Sequence, residues 1–201
     1  MSSRPTPRSR PYHMRKRAEQ VDETKMKIVQ ATVELHGTVG PAATTFMGVA
    51  ERAGVTRATV YRHFKDESAL FNACSSHWLA QQHPPDPSSW ARIADPVERM
   101  RVGLSDLYRF YRSGEQMLSR IYRDKAWLPE QHRARLEMRE EQARSLLLAA
   151  FPAARQRRPR LRAVVGHAAD FWTWRSLCVD HGLIDSEAVE LMVELASAAA
   201  G

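Results

Sequence analysis

The chain has little of what many proteins rely on. Only two cysteines occur, Cys74 and Cys178, far apart and both within expected helices. They give no disulfide framework and fit a reducing, cytoplasmic setting. Glycine is sparse, nine in 201 residues, while Ala, Leu, Arg and Glu abound, which favours an all-α protein. No apolar run is long enough to cross a bilayer. The first seventeen residues contain no acid, and no apolar stretch follows their charges, so they do not read as a secretory signal. There is no phosphate-binding loop, nucleophile–base spacing or metal motif. His77 and His83 are not at a ligand spacing, and His167 and His181 stand alone, so no metal and no cofactor is expected. Asp106, Asp170, His167 and Cys178 form no catalytic pattern, which makes a helical enzyme the remotest reading.

What is present is a basic excess with an address. The net charge is +7. Residues 1–65 hold twelve Lys and Arg against five acids, and the rest of the chain holds eighteen of each. The whole excess lies in the N-terminal third. Such asymmetry suits a polyanion partner, because each neutralised phosphate releases counterions. Residues 1–20 read as a basic, disordered arm, with six positive charges and three prolines in the first seventeen positions. Such an arm can follow a DNA backbone or enter its minor groove.

Within that third, Thr44 to Leu70 reads as two short helices, a tight turn between them and the start of another. Thr44 or Thr45 can cap the first helix by accepting a free backbone N–H. Phe46, Val49, Ala50 and Ala53 then share one face. Gly54 suits the left-handed turn that ends the helix, and Val55 plugs the corner. Thr56 caps the second helix, in which Val60 and Phe64 point inward. Arg57, Ala58, Thr59, Tyr61, Arg62 and His63 remain on faces that can meet DNA. This is a helix-turn-helix pattern, and it places a DNA-binding domain at 21–66.

Residues 67–201 read as a second, helical domain, bringing the total to about nine helices. The first helix of the chain is expected from Asp22 to about His36. Asp66 caps a helix running to about Gln82, which the prolines at 84, 85 and 87 stop. Further helices are expected after Pro96, from Met117 to Tyr122, and from Pro129 to Phe151. The basic run Arg155 to Arg160 reads as a solvated loop. A long apolar helix follows, with Leu161, Val165, Ala168, Phe171, Trp172 and Val179, ending at Gly182. Asp185 or Ser186 caps the next, which carries Ala188, Leu191, Met192, Leu195 and Ala199. This pair can complete a core or meet its copy in a second subunit.

Taken together, Ile28, Ala31, Leu35, Gly40, Thr44-Thr45-Phe46, Val49-Ala50, Ala53-Gly54-Val55-Thr56, Val60-Tyr61-Arg62-His63-Phe64 and Leu70 resemble the tetracycline-repressor (TetR) family of bacterial regulators. The resemblance implies a homodimer with a three-helix DNA-binding domain and a larger effector-binding and dimerisation domain. By position, Thr44 or Thr45, Tyr61 and His63 would hold phosphates, while Arg57, Ala58, Thr59 and Arg62 would face base edges or nearby backbone. An arginine can grip guanine twice, and Ala or a Thr methyl can meet thymine. The implied effector pocket is expected among Trp78, Leu104, Tyr108, Met117, Ile121, Tyr122, Trp127, Phe171 and Trp172, since aromatics with a few polar groups suit small molecules. The implied dimer interface draws on Leu161, Val165, Ala168, Trp172, Leu191, Met192 and Leu195. Two positions depart from the family. Glu67 stands where a phosphate-binding Lys is usual, leaving Lys65 or the basic arm as substitutes. His36 stands where a large apolar side chain is preferred, so that helix end is expected to pack loosely or act as a partly exposed cap. The expected function is a repressor released from a palindromic DNA operator by a small-molecule effector. An effector-independent or less sequence-specific DNA-binding protein is the alternative.

Overall fold

The computed structural model describes residues 10–152 and 155–201. Within them the chain is helical, with eleven α-helices and no strand. The first, α1, runs Arg10–Thr38, so residues 10–20 of the expected arm are helical and only residues 1–9 of it lie outside the described residues. Lys16, Ala18, Glu19 and Gln20 of this stretch are exposed, and its backbone is helical. Once the inner half of α1 is anchored, each further Arg, Lys, Glu or Ala extends an existing helix without a new nucleus.

Three helices form the head. α1 packs against α2 (Phe46–Ala53), α3 (Arg57–His63) closes the corner, and Ile28, Val49, Val60 and Phe64 meet in the middle. The local chemistry follows the sequence. Thr45 Oγ1 accepts the Gly48 N–H at 3.1 Å, and Thr56 Oγ1 accepts the Thr59 N–H at 3.2 Å. Gly54 turns the chain at φ 67°, a conformation that costs other residues about 1 kcal/mol or more. Asp66 opens α4 (Glu67–Leu79) by accepting the Ala69 N–H at 2.7 Å. Leu70 and Cys74 of α4 complete the head's core.

The body holds α5 (Pro87–Ala91), α6 (Pro96–Ser113), α7 (Glu115–Arg123), α8 (Glu130–Ala149), α9 (Arg158–Ala168), α10 (Phe171–Arg175) and α11 (Asp185–Ala200). α6 is its axis. Met100, Leu104 and Tyr108 of that helix are fully buried against Trp90, Leu147, Leu161, Phe171 and Trp174. The buried polar tips are met: Tyr108 and Tyr111 hydroxyls donate to the Ala168 and Ala169 carbonyls at 2.8 and 2.9 Å.

Those carbonyls are free because the expected single helix from Leu161 to Gly182 is two helices. Asp170 breaks it by accepting the N–H groups of Trp172 and Thr173 at 2.8 and 3.3 Å, which starts α10. A π-helical turn, Ser176–Asp180, then widens its end. Apolar period alone hides such a break, since the stripe continues across it. Asp185 is not a cap either. It is the first residue of α11, where it accepts two N–H groups of Arg112, each at 2.7 Å, and the Trp174 Nε1–H at 2.9 Å. Asp170→Ala is expected to lower stability by about 1 kcal/mol in chemical denaturation, the usual worth of a helix cap.

Candidate nucleic-acid interface and ligand cavity

α3 presents one exposed row. Arg57, Ala58, Tyr61 and Arg62 are exposed, and Thr59 is half-buried beneath them. The Arg57 guanidinium lies over the Tyr61 ring at 5.4 Å and donates to its hydroxyl at 3.2 Å. Phe46 of α2 packs on the other side of Tyr61, 4.7 Å between centroids, so the row is braced from the head's own core. Thr56 Oγ1 shares a bond with Thr59 Oγ1 at 2.9 Å. Thr45 is exposed beside the α2 N-terminus, whereas Thr44 is half-buried and spends its hydroxyl on the Gly40 carbonyl. His63 is half-buried, and its Nε2 is enclosed without a partner. Lys65 is exposed and 3.8 Å from Asp66. Glu67 is exposed in the first turn of α4, where its charge favours that helix. Arg52 is drawn away from the row by an ion pair with Glu34 on α1.

Behind the head lies a cavity of about 480 Å³, walled by α1, α4, α6, α7, α8 and the Pro84–Pro87 loop. Trp78, Met117, Ile121 and Tyr122 line it as expected. Five expected residues do not. Leu104, Tyr108 and Phe171 are consumed by the body's core, while Trp127 (76% exposed) and Trp172 (44% exposed) face outward. Phe71, Cys74, Phe110, His132, Arg135 and Glu140 also line it and were not singled out from the sequence. Those of α8 were hidden by its charged composition, which shows no apolar stripe. A lone His and Glu on one face of such a helix were the available sign.

His36 corrects its expectation. It is 6% exposed and neither loose nor a surface cap. Its ring packs on Phe71 at 5.1 Å, and Nδ1 sits 3.6 Å from Cys74 Sγ. Burial holds its pKa down to about 4 from an ordinary 6.5, with the Asp124 charge opposing. The same burial pushes the Cys74 thiol up to about 12.

The two domains are joined by the end of α7. Arg120 Nε donates to the Thr38 carbonyl at 2.5 Å, Arg123 Nη2 to the Val39 carbonyl at 2.8 Å, and Asp124 Oδ2 accepts the Ala42 N–H at 3.1 Å. Asp124 is 5% exposed, and its Arg123 partner holds its carboxyl below the usual range. Gly40 makes this approach feasible. It sits at φ 95°, and a Cβ there would collide with Arg123 and Asp124. The other face of α7 carries Met117, Ile121 and Tyr122 into the cavity, so one helix touches both places.

The expected interface residues divide. Leu161, Val165, Ala168 and Met192 are buried within the protomer and offer no outer surface. Their helical period is right, but it reports the body's own core. Trp172, Leu191 and Leu195 are exposed, the last two one turn apart on α11. The residues considered for catalysis have structural roles. Asp106 accepts the Trp90 Nε1–H at 3.1 Å, His167 pairs with Thr173 at 3.0 Å, and Cys178 is a buried thiol with its pKa raised to about 11.

A braced helix-turn-helix head is gripped by an all-helical, cavity-bearing body. Residues 28–74 match the family model for bacterial regulatory proteins of the tetR family. The chain is 37% identical over 96 residues to the HTH-type transcriptional regulator TtgR of Pseudomonas putida, covering 47% of this chain and 46% of that protein. It is 38% identical over 58 residues to the regulator AcrR of Shigella flexneri, covering 29% and 27%. These matches span between about a quarter and a half of the relatives' length. A TetR family regulator of Marinobacter aquaeolei superposes with a TM-score of 0.59 at 22% identity, over 90% of this chain and 97% of that one. NalD of Pseudomonas aeruginosa, the secondary repressor of the MexAB-OprM multidrug efflux pump, does so at 0.57 and 19%, with the same coverage. Residues 28–74 thus carry the tetR-family pattern, and the whole chain shares the fold of solved TetR regulators.

The buried His36 makes stability depend on pH with a definite sign. Below about 6.5 the unfolded chain takes up a proton that the folded chain refuses until about 4, so stability falls as pH drops through that window. The contribution is about 2 kcal/mol at pH 5. His36→Leu removes it, so denaturation of the variant is expected to lose correspondingly less stability than the wild type between about pH 7 and pH 5.

Proposed function

We propose that the chain is a transcriptional repressor, acting in the cytoplasm as a homodimer that binds a palindromic operator and leaves it when a small molecule fills the cavity. The observation that carries the reading is the mechanical one: a single helix, α7, lines the cavity with one face and holds the α1–α2 turn of the head with its end. A ligand that presses on Met117, Ile121 and Tyr122 moves the anchor of the reading helix.

On DNA, α3 enters the major groove with Arg57, Ala58, Thr59 and Arg62 toward base edges or adjacent phosphates. Tyr61 and His63 meet the backbone, as do Thr45 and Lys65. The N-terminal basic charge adds a salt-sensitive, sequence-independent share. Two heads must lie about one helical turn, roughly 34–36 Å, apart to read both half-sites. The dimer forms through the exposed apolar residues of α10 and α11, Trp172, Leu191 and Leu195. An effector acts only through differential affinity: it must bind better to the dimer whose head spacing does not fit the operator. Blocking polymerase is the simplest output. NalD, which shares the fold, is described as a repressor.

Arg57→Ala and Tyr61→Ala test the reading head. Each is expected to weaken operator binding at least about tenfold, the loss of a good base or charged phosphate contact, with the dimer unchanged in analytical ultracentrifugation. Fluorescence anisotropy on operator and scrambled DNA reads both effects. Equal affinity for the two DNAs would instead favour the less specific, coating mode of binding.

A further inference from the structure

The arginines of α8 fall into two kinds. Arg133 and Arg144 each have a glutamate three or four residues away, the spacing at which helical side chains meet. Arg135 and Arg139 have none: around them stand Gln131, His132, Leu136, Met138, Gln142 and Ala143. They lie one turn from each other, where like charges repel. The nearby glutamates are spent elsewhere. Glu137 and Glu140 hold Lys125 at 3.7 and 3.1 Å, and Glu141 holds Arg144 at 3.4 Å. Arg135 gives one N–H to the neutral Asn72 side chain at 3.1 Å. Arg139 has no hydrogen bond or ion pair among the described residues.

Both of these cations belong to the wall of the cavity behind the head, and both are exposed, so they stand where that cavity meets solvent. The rest of the wall does not balance them. Glu140 is its one carboxylate among the described residues, and Lys125 already neutralises it. His36 and His132 stay uncharged near pH 7, because burial lowers both; for His132 the Arg135 charge works in the same direction. α4 contributes Asn72, Ser75 and Ser76, which are neutral. Most of the remaining wall is apolar and rich in rings, with Phe71 and the edge-to-face pair Trp78–Phe110 at 6.0 Å. A volume of about 480 Å³ lies in the range of small-molecule sites.

We infer that the cavity takes an anionic amphiphile: a ring-bearing apolar body packed against Phe71, Trp78 and Phe110, with one carboxylate at the mouth, paired with Arg139 and Arg135. This deepens the effector reading above and rests on the cavity being its ligand site. The apolar body supplies most of the affinity through burial. The carboxylate supplies selection by charge, since a planar guanidinium can give two N–H groups to one carboxylate. It also offsets the repulsion between the two arginines. A neutral or cationic molecule of the same shape gains neither.

The test is calorimetry near pH 7 and at low salt, on the full chain without DNA. It uses three probes of one shape: 4-phenylbenzoate, 4-phenylbenzamide and 4-phenylbenzylamine. The acid is expected to bind about tenfold more tightly than the amide, and by a larger margin than the amine. That preference should shrink as salt is raised, because the pair lies at the surface. The double variant Arg135→Gln, Arg139→Gln should bring the acid down to the amide's affinity and leave the amide unchanged. Both arginines are exposed and outside the two cores, and unchanged amide binding is the check that the variant is folded. Arg139→Lys keeps the charge and should retain part of the preference. The inference is overturned if the amide or the amine matches the acid, if the preference survives the double variant, or if none of the probes binds. Anisotropy on operator DNA selected from a random pool separates the two ideas. Acid binding that leaves operator affinity unchanged upholds the site and removes the effector role. Release by a neutral or cationic compound, with no acid binding, overturns the inference and keeps the effector role.

Discussion

The carboxylate of Asp124 is buried at the junction of the two domains, where it accepts the Ala42 N–H of the head and faces the guanidinium of Arg123. Within the turn the Ala43 and Thr44 amides bond to Gly40 and Pro41 while Ala42 bonds to Asp124, an approach that needs the bare Cα of Gly40. With Arg120 and Arg123 taking the carbonyls of Thr38 and Val39, the last turn of α7 replaces water at the C-terminal end of α1. These are charge-assisted bonds, about twice as strong as neutral ones. They fix where α2 and α3 stand relative to the cavity, so any use of the cavity to control the head passes close to them.

The head itself stands on ordinary local rules, which is why it was legible. Thr45, Gly54, Thr56 and Asp66 each act where their side chain or lack of one demands, and Val60 and Phe64 face inward by spacing alone. Short-range chemistry fixes such elements, and one residue type serves each position. In the body, legibility drops in a physical pattern. The buried side of α6 follows from period, but whether a stripe serves the protomer or a partner does not, and Leu161, Val165, Ala168 and Met192 turned inward. The break at Asp170 frees two carbonyls, and these are taken by Tyr108 and Tyr111, partners about sixty residues away in sequence.

The cavity shows the same limit from another side. Trp78 and Tyr122 were expected from size and aromaticity, and they line it with Met117 and Ile121. His36 and His132 were not, because a histidine in a charged helix looks like surface. Only the packing of both rings on Phe71 makes them part of one wall and keeps them uncharged. The departure at His36 is thus a polar insertion into the cavity wall, made tolerable by Cys74 beside it. The three Arg and Asp side chains of the α7 end were equally silent in sequence, since nothing local pairs them with residues about eighty positions earlier.

The central claim is that the end of α7 holds the head in place. Amide hydrogen exchange on the wild type and on Asp124→Ala measures this most directly. The Ala42 amide should be protected in the wild type. In the variant, exchange should accelerate at Ala42 and across α2 and α3, while α6, α9 and α11 keep their protection. Unchanged exchange at Ala42 and in the head, or a loss spread evenly over both domains, would contradict the account.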